Sequence, residues 1–342
     1  MALLFDKHRQ IVRPAPVAAA RRDADRFEPG RKAVDDVLTI GLINNMPDSA
    51  LQATERQFTQ LLKTAAGKRR IHFHCFSLPS IKRSQIAKQI IDGHYADIAD
   101  LDRLHIDALI VTGAEPNAAT LPEEPFWREL TAVIDWAEAN TRSTIWSCLA
   151  AHAAVLHLDG VERQRLDAKC SGIFDCSRAA DDGLLKNVTS PLKISHSRFN
   201  ALRSSDLAAR GYRVLTQSPE AGVDIFAKRL RSQFIFFQGH PEYEALSLQR
   251  EYLRDITRFL AGQRDGYPAF PRNYFTPETE HRLMNFQKLA RVERKLPLSA
   301  ELPKLTLRPD IAAGTAASAI FGNWLDDLSA GKRETKAGGR QP

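Results

Sequence analysis

From residue 37 to residue 147 the chain alternates short unbroken apolar runs with longer segments whose apolar positions return every three or four residues. Val37-Leu38-Thr39-Ile40-Gly41-Leu42-Ile43 is a run of the kind that a parallel strand shows when both faces are covered. The stretch from Ala53 to Leu62 then predicts a helix, and Ile71, Phe73 and Cys75 alternate with His72 and His74 as the next strand. Ile106 to Thr112 is another buried strand, stopped by Gly113. Phe126, Leu130, Val133, Ile134 and Ala137 recur at helical spacing behind Pro125, a residue suited to a first helical turn. Ile145-Trp146-Ser147 ends one more buried strand, and Leu149 to Leu156 reads as the helix that follows it.

Four such strand–helix alternations predict an α/β fold, a doubly wound and mostly parallel sheet flanked by helices. Strands of one sheet joined by right-handed crossovers place their carboxyl ends, and hence a ligand, along one edge. The pattern changes between residues 170 and 237. Short strand-like runs (Lys193-Ile194-Ser195, Tyr212 to Leu215, Val223 to Phe226) are separated in places by turns such as Asp181-Asp182-Gly183. They read as antiparallel strands added to the same sheet, followed by a strand at Gln233 to Gln238. Tyr243 to Leu260 predicts a helix, 262–277 an aromatic- and proline-rich loop, and Ala316 to Leu328 a last helix. Residues 1–34 lack a sustained period and read as a flexible extension. Residues 35–330 then form a single domain, and 331–342 a disordered tail.

Composition narrows the classes. The 342 residues allow one large domain with ample core. Four cysteines without a Cys-x-x-Cys pair give neither a disulfide framework nor a zinc motif, so a reducing cytoplasm is the expected location. His72 and His74 share a strand face, but no third and fourth ligand stand at useful spacing, and no metal is expected. No apolar run approaches the roughly 20 residues of a membrane span. The net charge of +7 includes basic clusters at Arg21-Arg22, Arg31-Lys32 and Lys68-Arg69-Arg70. With no nucleic-acid motif beside them, these read as solvated surface. A positive balance also suits a phosphate-bearing substrate.

The chemistry concentrates at Cys148, where a strand hands over to a helix. A turn of that kind presents the sulfur outward, and a helix N-terminus favours the thiolate, the reactive species. His240-Pro241-Glu242 follows the Gln233–Gln238 strand and supplies a base with a carboxylate two residues on. Cys148, His240 and Glu242 thus form a nucleophile, base and orienter for acyl chemistry. Cys75, Cys170 and Cys176 lack that context and read as inert. His152 and His157 read as packing or surface residues.

The chain resembles the homoserine O-succinyltransferases, enzymes of methionine biosynthesis. The matching segments include Asn45-Met46-Pro47, Thr54 to Phe58, Leu109 to Ala114, Ser143 through Ala150 and Lys169 to Gly172. They continue with His196-Ser197-Arg198, Gly239 to Tyr243, Tyr252 to Asp255, Asn273-Tyr274-Phe275 and Asn323-Trp324-Leu325. They fall in the family's order over about residues 37 to 328. The resemblance implies a fold like that of class I glutamine amidotransferases, a cytoplasmic homodimer, and no tightly bound cofactor. It implies acyl-CoA and L-homoserine as substrates, with neither nucleic acid nor membrane as partner. It makes Cys148 the site of an acyl-thioester, with His240 as base and Glu242 as its partner. Lys169, Ser197 and Arg254 become substrate-binding residues, although by residue type alone they also fit solvated charges and a turn. The backbone amide of Leu149, which follows the nucleophile at a helix start, is a natural oxyanion donor.

Three departures bear on specificity. Asp48 and Ser49 stand where the family often has lysines, the stretch from Thr276 to Thr315 diverges, and Asn117 occupies a position that is glycine in succinyl-transferring members and glutamate in acetyl-transferring ones. Asn117 has no charge to repel a succinyl carboxylate, and Arg254 offers a partner either to that carboxylate or to the carboxylate of the amino acid, so succinyl is favoured over acetyl. Two other readings are a glutaminase, which shares the cysteine and His-Pro-Glu, and a non-catalytic binding protein. Trp146 to His152 lacks the glycines and glutamine usual around a glutaminase cysteine, and the retained Cys, His and Glu argue against a binding protein. Another hydroxy-amino acid as acceptor stays open.

Overall fold

The computed structural model describes residues 3–4, 37–309, 311 and 315–338. The strands are β1 (Leu3–Leu4), β2 (Val37–Ile43), β3 (Arg70–Phe76), β4 (Ala108–Val111), β5 (Ser143–Ser147), β6 (Gln164–Arg178), β7 (Leu192–Ala201), β8 (Arg213–Val214), β9 (Thr216–Ser218), β10 (Gly222–Val223), β11 (Ile225–Arg229) and β12 (Gln233–Phe237). The helices are α1 (Asp48–Ala66), α2 (Gln85–His94), α3 (Trp127–Asn140), α4 (Leu149–Asp159), α5 (Ser204–Ala209), α6 (Ser247–Leu260), α7 (Pro277–Glu293) and α8 (Thr315–Gly338).

An eight-stranded sheet in the order β1-β3-β2-β4-β5-β12-β11-β8 forms the centre. The pairs from β1 to β12 are parallel, and β11 and β8 join antiparallel at one edge. The unbroken apolar runs arise because both faces are covered. In β4, Ala108 and Ile110 enter the core that contains Phe58 of α1 and Trp324 of α8. Leu109 and Val111 enter the opposite core, with Ile134 of α3 and Val155 of α4. Side chains that alternate between two cores leave no polar positions. A third core joins α6 and α7 through Leu248, Tyr252, Ile256, Phe259, Leu283 and Phe286.

The structure corrects several expectations. The middle strands do not all join the central sheet: β6, β7, β9 and β10 make a separate four-stranded sheet in the order β10-β9-β6-β7. Residues 239–246 are turns, and α6 begins only at Ser247, because His240 N–H donates to Ser195 O at 2.7 Å and Glu244 N–H to Ser247 Oγ at 3.0 Å. The last helix runs on to Gly338, through eight residues read as tail, while 339–342 lie outside the described residues. Of the segment read as a flexible extension, residues 3–4 pair with β3, and 1–2 and 5–34 lie outside the description. Among the described residues, no helix is long and apolar enough to cross a membrane.

Candidate active site

β5 and β12 are parallel neighbours, with Ser147 opposite Phe237. Cys148 is the first residue beyond β5, and His240 is the third beyond β12. The sheet therefore carries both to one carboxyl edge, with Gly113 beyond β4 and Met46 beyond β2 beside them. A cavity of about 780 Å³ opens there, lined by Met46, Gly113, Cys148, Leu149, Lys169, Ser197, His240, Glu242 and Arg254 among others.

Cys148 caps α4 with φ 52° and ψ −111°, a backbone conformation that non-glycine residues rarely adopt. Its amide donates to Phe237 O at 2.7 Å, which ties the turn to β12. Such strain at a strand–helix junction is the geometry of a nucleophile elbow. The helix behind it is apolar on every side, and its residues from Leu149 to Val155 are all buried. Leu149 opens that helix, so its amide has no intrahelical acceptor. Gly113 packs directly on it: a Cβ there would lie 2.7 Å from Leu149 Cβ and 3.1 Å from its N.

His240 is buried and shares a hydrogen bond of 2.8 Å between its Nδ1 and Glu242 Oε1. With Nδ1 so occupied, Nε2 is left for Cys148, which lines the same cavity and lies within electrostatic reach of the ring. Tyr243 stacks on the imidazole, with ring centres 4.2 Å apart and planes at 19°. Burial alone would pull the His240 pKa down. The charge on Glu242, with its hydrogen bond, and a charge on Cys148 push it well above its ordinary value.

The opposite wall is a charged network. Glu251 accepts from Tyr243 Oη at 2.5 Å and from Ser197 Oγ. Lys169 reaches Asp255 at 3.2 Å and Glu251 at 3.6 Å. Arg254 and Arg264 also contact Asp255, at 3.3 and 3.4 Å. Burial acts to raise the Asp255 pKa, and these cations together hold it below the usual carboxylate value. Lys169, Ser197 and Arg254 thus lie in one cavity with Cys148, His240 and Glu242. Asn117 is placed differently. It is exposed, and its side chain donates to Glu115 O at 3.1 Å within its own loop. Asp48 likewise pairs with Arg83 at 3.3 Å and accepts from Ser84 N–H at 2.8 Å.

Sequence reasoning gave no role to three features. Glu124 is buried, and its Oε1 accepts from the amides of Asn117 and Ala118 at 2.8 and 2.9 Å, while its Oε2 has no hydrogen-bond partner among the described residues. His152, read as packing or surface, is buried, bonds to Gln238 Oε1 at 3.0 Å and lines the cavity. Cys176, His196 and Asp224 form a buried cluster whose donor atoms lie within 4.8 Å of one another. That cluster has the donor set of a metal site. However, Arg198 brings its charge to His196 Nδ1 at 3.3 Å, and Thr216 donates to Asp224 Oδ2 at 3.0 Å. The arrangement is therefore read as a hydrogen-bonded network beneath the His240 turn.

Comparison with known proteins extends these observations. The family model described as homoserine O-succinyltransferase matches residues 30–330. A homoserine O-succinyltransferase of Rhodopseudomonas palustris is 57% identical over 96% of this chain and 99% of its own length. One of Bradyrhizobium japonicum is 57% identical over 97% of this chain and 100% of its own. Among solved structures, a glutamine amidotransferase of Methylobacillus flagellatus aligns over 85% of this chain and 94% of its own, at 13% identity and a TM-score of 0.46. With more than half of its positions shared with these relatives along nearly the whole of both chains, the protein belongs to the homoserine O-succinyltransferase family.

Proposed function

We propose that this enzyme, a homoserine O-succinyltransferase of methionine biosynthesis, moves the succinyl group from a coenzyme A thioester to the hydroxyl of L-homoserine through a thioester on Cys148. The observation that carries the route is the strained Cys148 turn, which shares one cavity with the His240 ring that Glu242 holds.

The thiolate of Cys148 attacks the thioester carbonyl, and the developing oxyanion faces the first amide of α4, that of Leu149. The bond from carbon to the CoA sulfur breaks, and protonated His240 gives its proton to the departing thiolate. A charge on Cys148 raises the His240 pKa. Acylation removes that charge, so the same imidazole becomes a better base for the next step. Neutral His240 takes the proton of the homoserine hydroxyl, whose oxygen attacks the acyl carbon. The acyl–Cys148 bond breaks and the thiolate–imidazolium pair returns. Glu242 keeps the proton on Nδ1 throughout, and Lys169, Ser197 and Arg254 bind the substrates' polar ends.

Intact-mass measurement after mixing with succinyl-CoA, without acceptor, tests the route. Wild type should gain one succinyl group, lost on adding L-homoserine, and folded Cys148→Ala should gain none. An equally labelled Cys148→Ala protein would remove Cys148 from the mechanism.

A further inference from the structure

Most cations around the cavity are already matched. Lys169, Arg254 and Arg264 face Asp255, and Arg258 lies 2.8 Å from Glu115. Arg198 donates to His196, Asn200 and Ala221. Arg165 is exposed and lies over the Phe199 ring at 4.6 Å. Arg163 differs from all of these. It lines the cavity and is partly buried, and among the described residues its guanidinium has no hydrogen bond or ion pair. It lies within electrostatic reach of Glu124 and Cys148, and of the like charge on Arg165. Burial pulls its pKa down and Glu124 opposes that pull, but an arginine stays charged.

We infer that Arg163 receives the distal carboxylate of the succinyl group, with Glu124 close enough to favour its charge. The inference rests on the succinyl-transfer reading and names the residue that selects the donor. A half-desolvated cation without a partner is costly until an anion arrives, and its fork matches a carboxylate through two parallel hydrogen bonds. The N-terminus of α4 draws negative charge to the same corner. His152, one turn into that helix, brings no competing charge, because burial pulls its pKa down to about 3. Glu124 has one oxygen on the Asn117–Ala118 amides and the other without a hydrogen-bond partner among the described residues. The loop that contains Asn117 is thus tied to a carboxylate within electrostatic reach of Arg163, which links the loop to donor choice without the Asn117 side chain entering the cavity.

The test pairs a change in the protein with the same change in the donor. Initial rates are measured for wild type, Arg163→Gln and Arg163→Lys with succinyl-CoA and with succinamoyl-CoA, its analogue with a distal amide. Wild type should prefer the charged ester in kcat/KM by on the order of a hundredfold. Arg163→Gln should lose that preference, and Arg163→Lys should keep part of it. A wild type that uses both esters equally overturns the inference without any variant, as does a preference that persists in Arg163→Gln. Equal losses with both esters, or a rise only in the homoserine KM, would assign Arg163 to the CoA body or to the acceptor and also overturn it. A wild type inactive with succinyl-CoA would instead refute the proposed function itself.

Discussion

His240 works between two negative neighbours, and each can be removed separately. Burial favours its neutral form, and Glu242 and Cys148 together reverse that preference. Removing either charge should therefore lower its pKa. NMR titration of the imidazole should show a lower value in Cys148→Ala and in Glu242→Gln than in wild type, and unmoved titrations would contradict the ion pair. Replacing His240 by Ala should cost roughly two to four orders of magnitude in kcat. Asp224 gives a second test at this scale. Burial, only partly offset by the Thr216 hydroxyl and Arg198, raises its pKa to about 6. The folded value exceeds the ~3.9 of an unfolded aspartate, so its contribution to stability is full below that value and lost as pH rises through about 6. Asp224→Asn should remove this slope. Relative to wild type the variant should gain about 3 kcal/mol of stability between pH 3 and 8, read from urea unfolding, and parallel curves would refute it.

At the scale of elements, the junction of β4, β5 and α4 positions Cys148, the proposed nucleophile. Gly113→Ala would push a methyl group against Leu149, which must shift with the first turn of α4. The expected cost in stability is about 1–3 kcal/mol, with a larger proportional loss in kcat because the turn carries Cys148 and the Leu149 amide. Thermal unfolding and steady-state rates separate the two, and unchanged kcat would show that the turn tolerates the shift. The same elements explain what was legible in the sequence. β2 is predicted to the residue because both its faces are covered and its run is unbroken. β6 is half-exposed and interleaves charged with apolar residues, so its 15 residues give no such run. α7 buries only Thr279, Leu283, Phe286 and Ala290 of 17 residues, too thin a stripe to stand out. Cys148 and His240 were legible because apolar strands precede them. Glu124 and Arg163 were not, because what sets them apart is long-range: a carboxylate bonded to a loop seven residues earlier, and a cation left without a partner.

Across the whole molecule, α8 braces the sheet from behind. Trp324 is buried, and its Nε1 donates to Ser143 Oγ at 3.0 Å at the start of β5, while Phe321 packs on Phe58 of α1 with ring centres 6.4 Å apart. Trp324→Ala should cost about 3–5 kcal/mol in urea unfolding, and a loss under about 1 kcal/mol would show that α8 is not a brace. The third core has a different consequence. Cys148 and His240 stand on the central sheet, whereas Glu251, Arg254 and Asp255 stand on α6, which packs with α7 in a core of its own. The cavity wall that carries Cys148 and the wall that carries Arg254 thus belong to separate hydrophobic cores that meet across the cavity. Repacking α6 against α7 would therefore reshape the Arg254 wall and leave the strained turn that holds the Cys148 sulfur untouched.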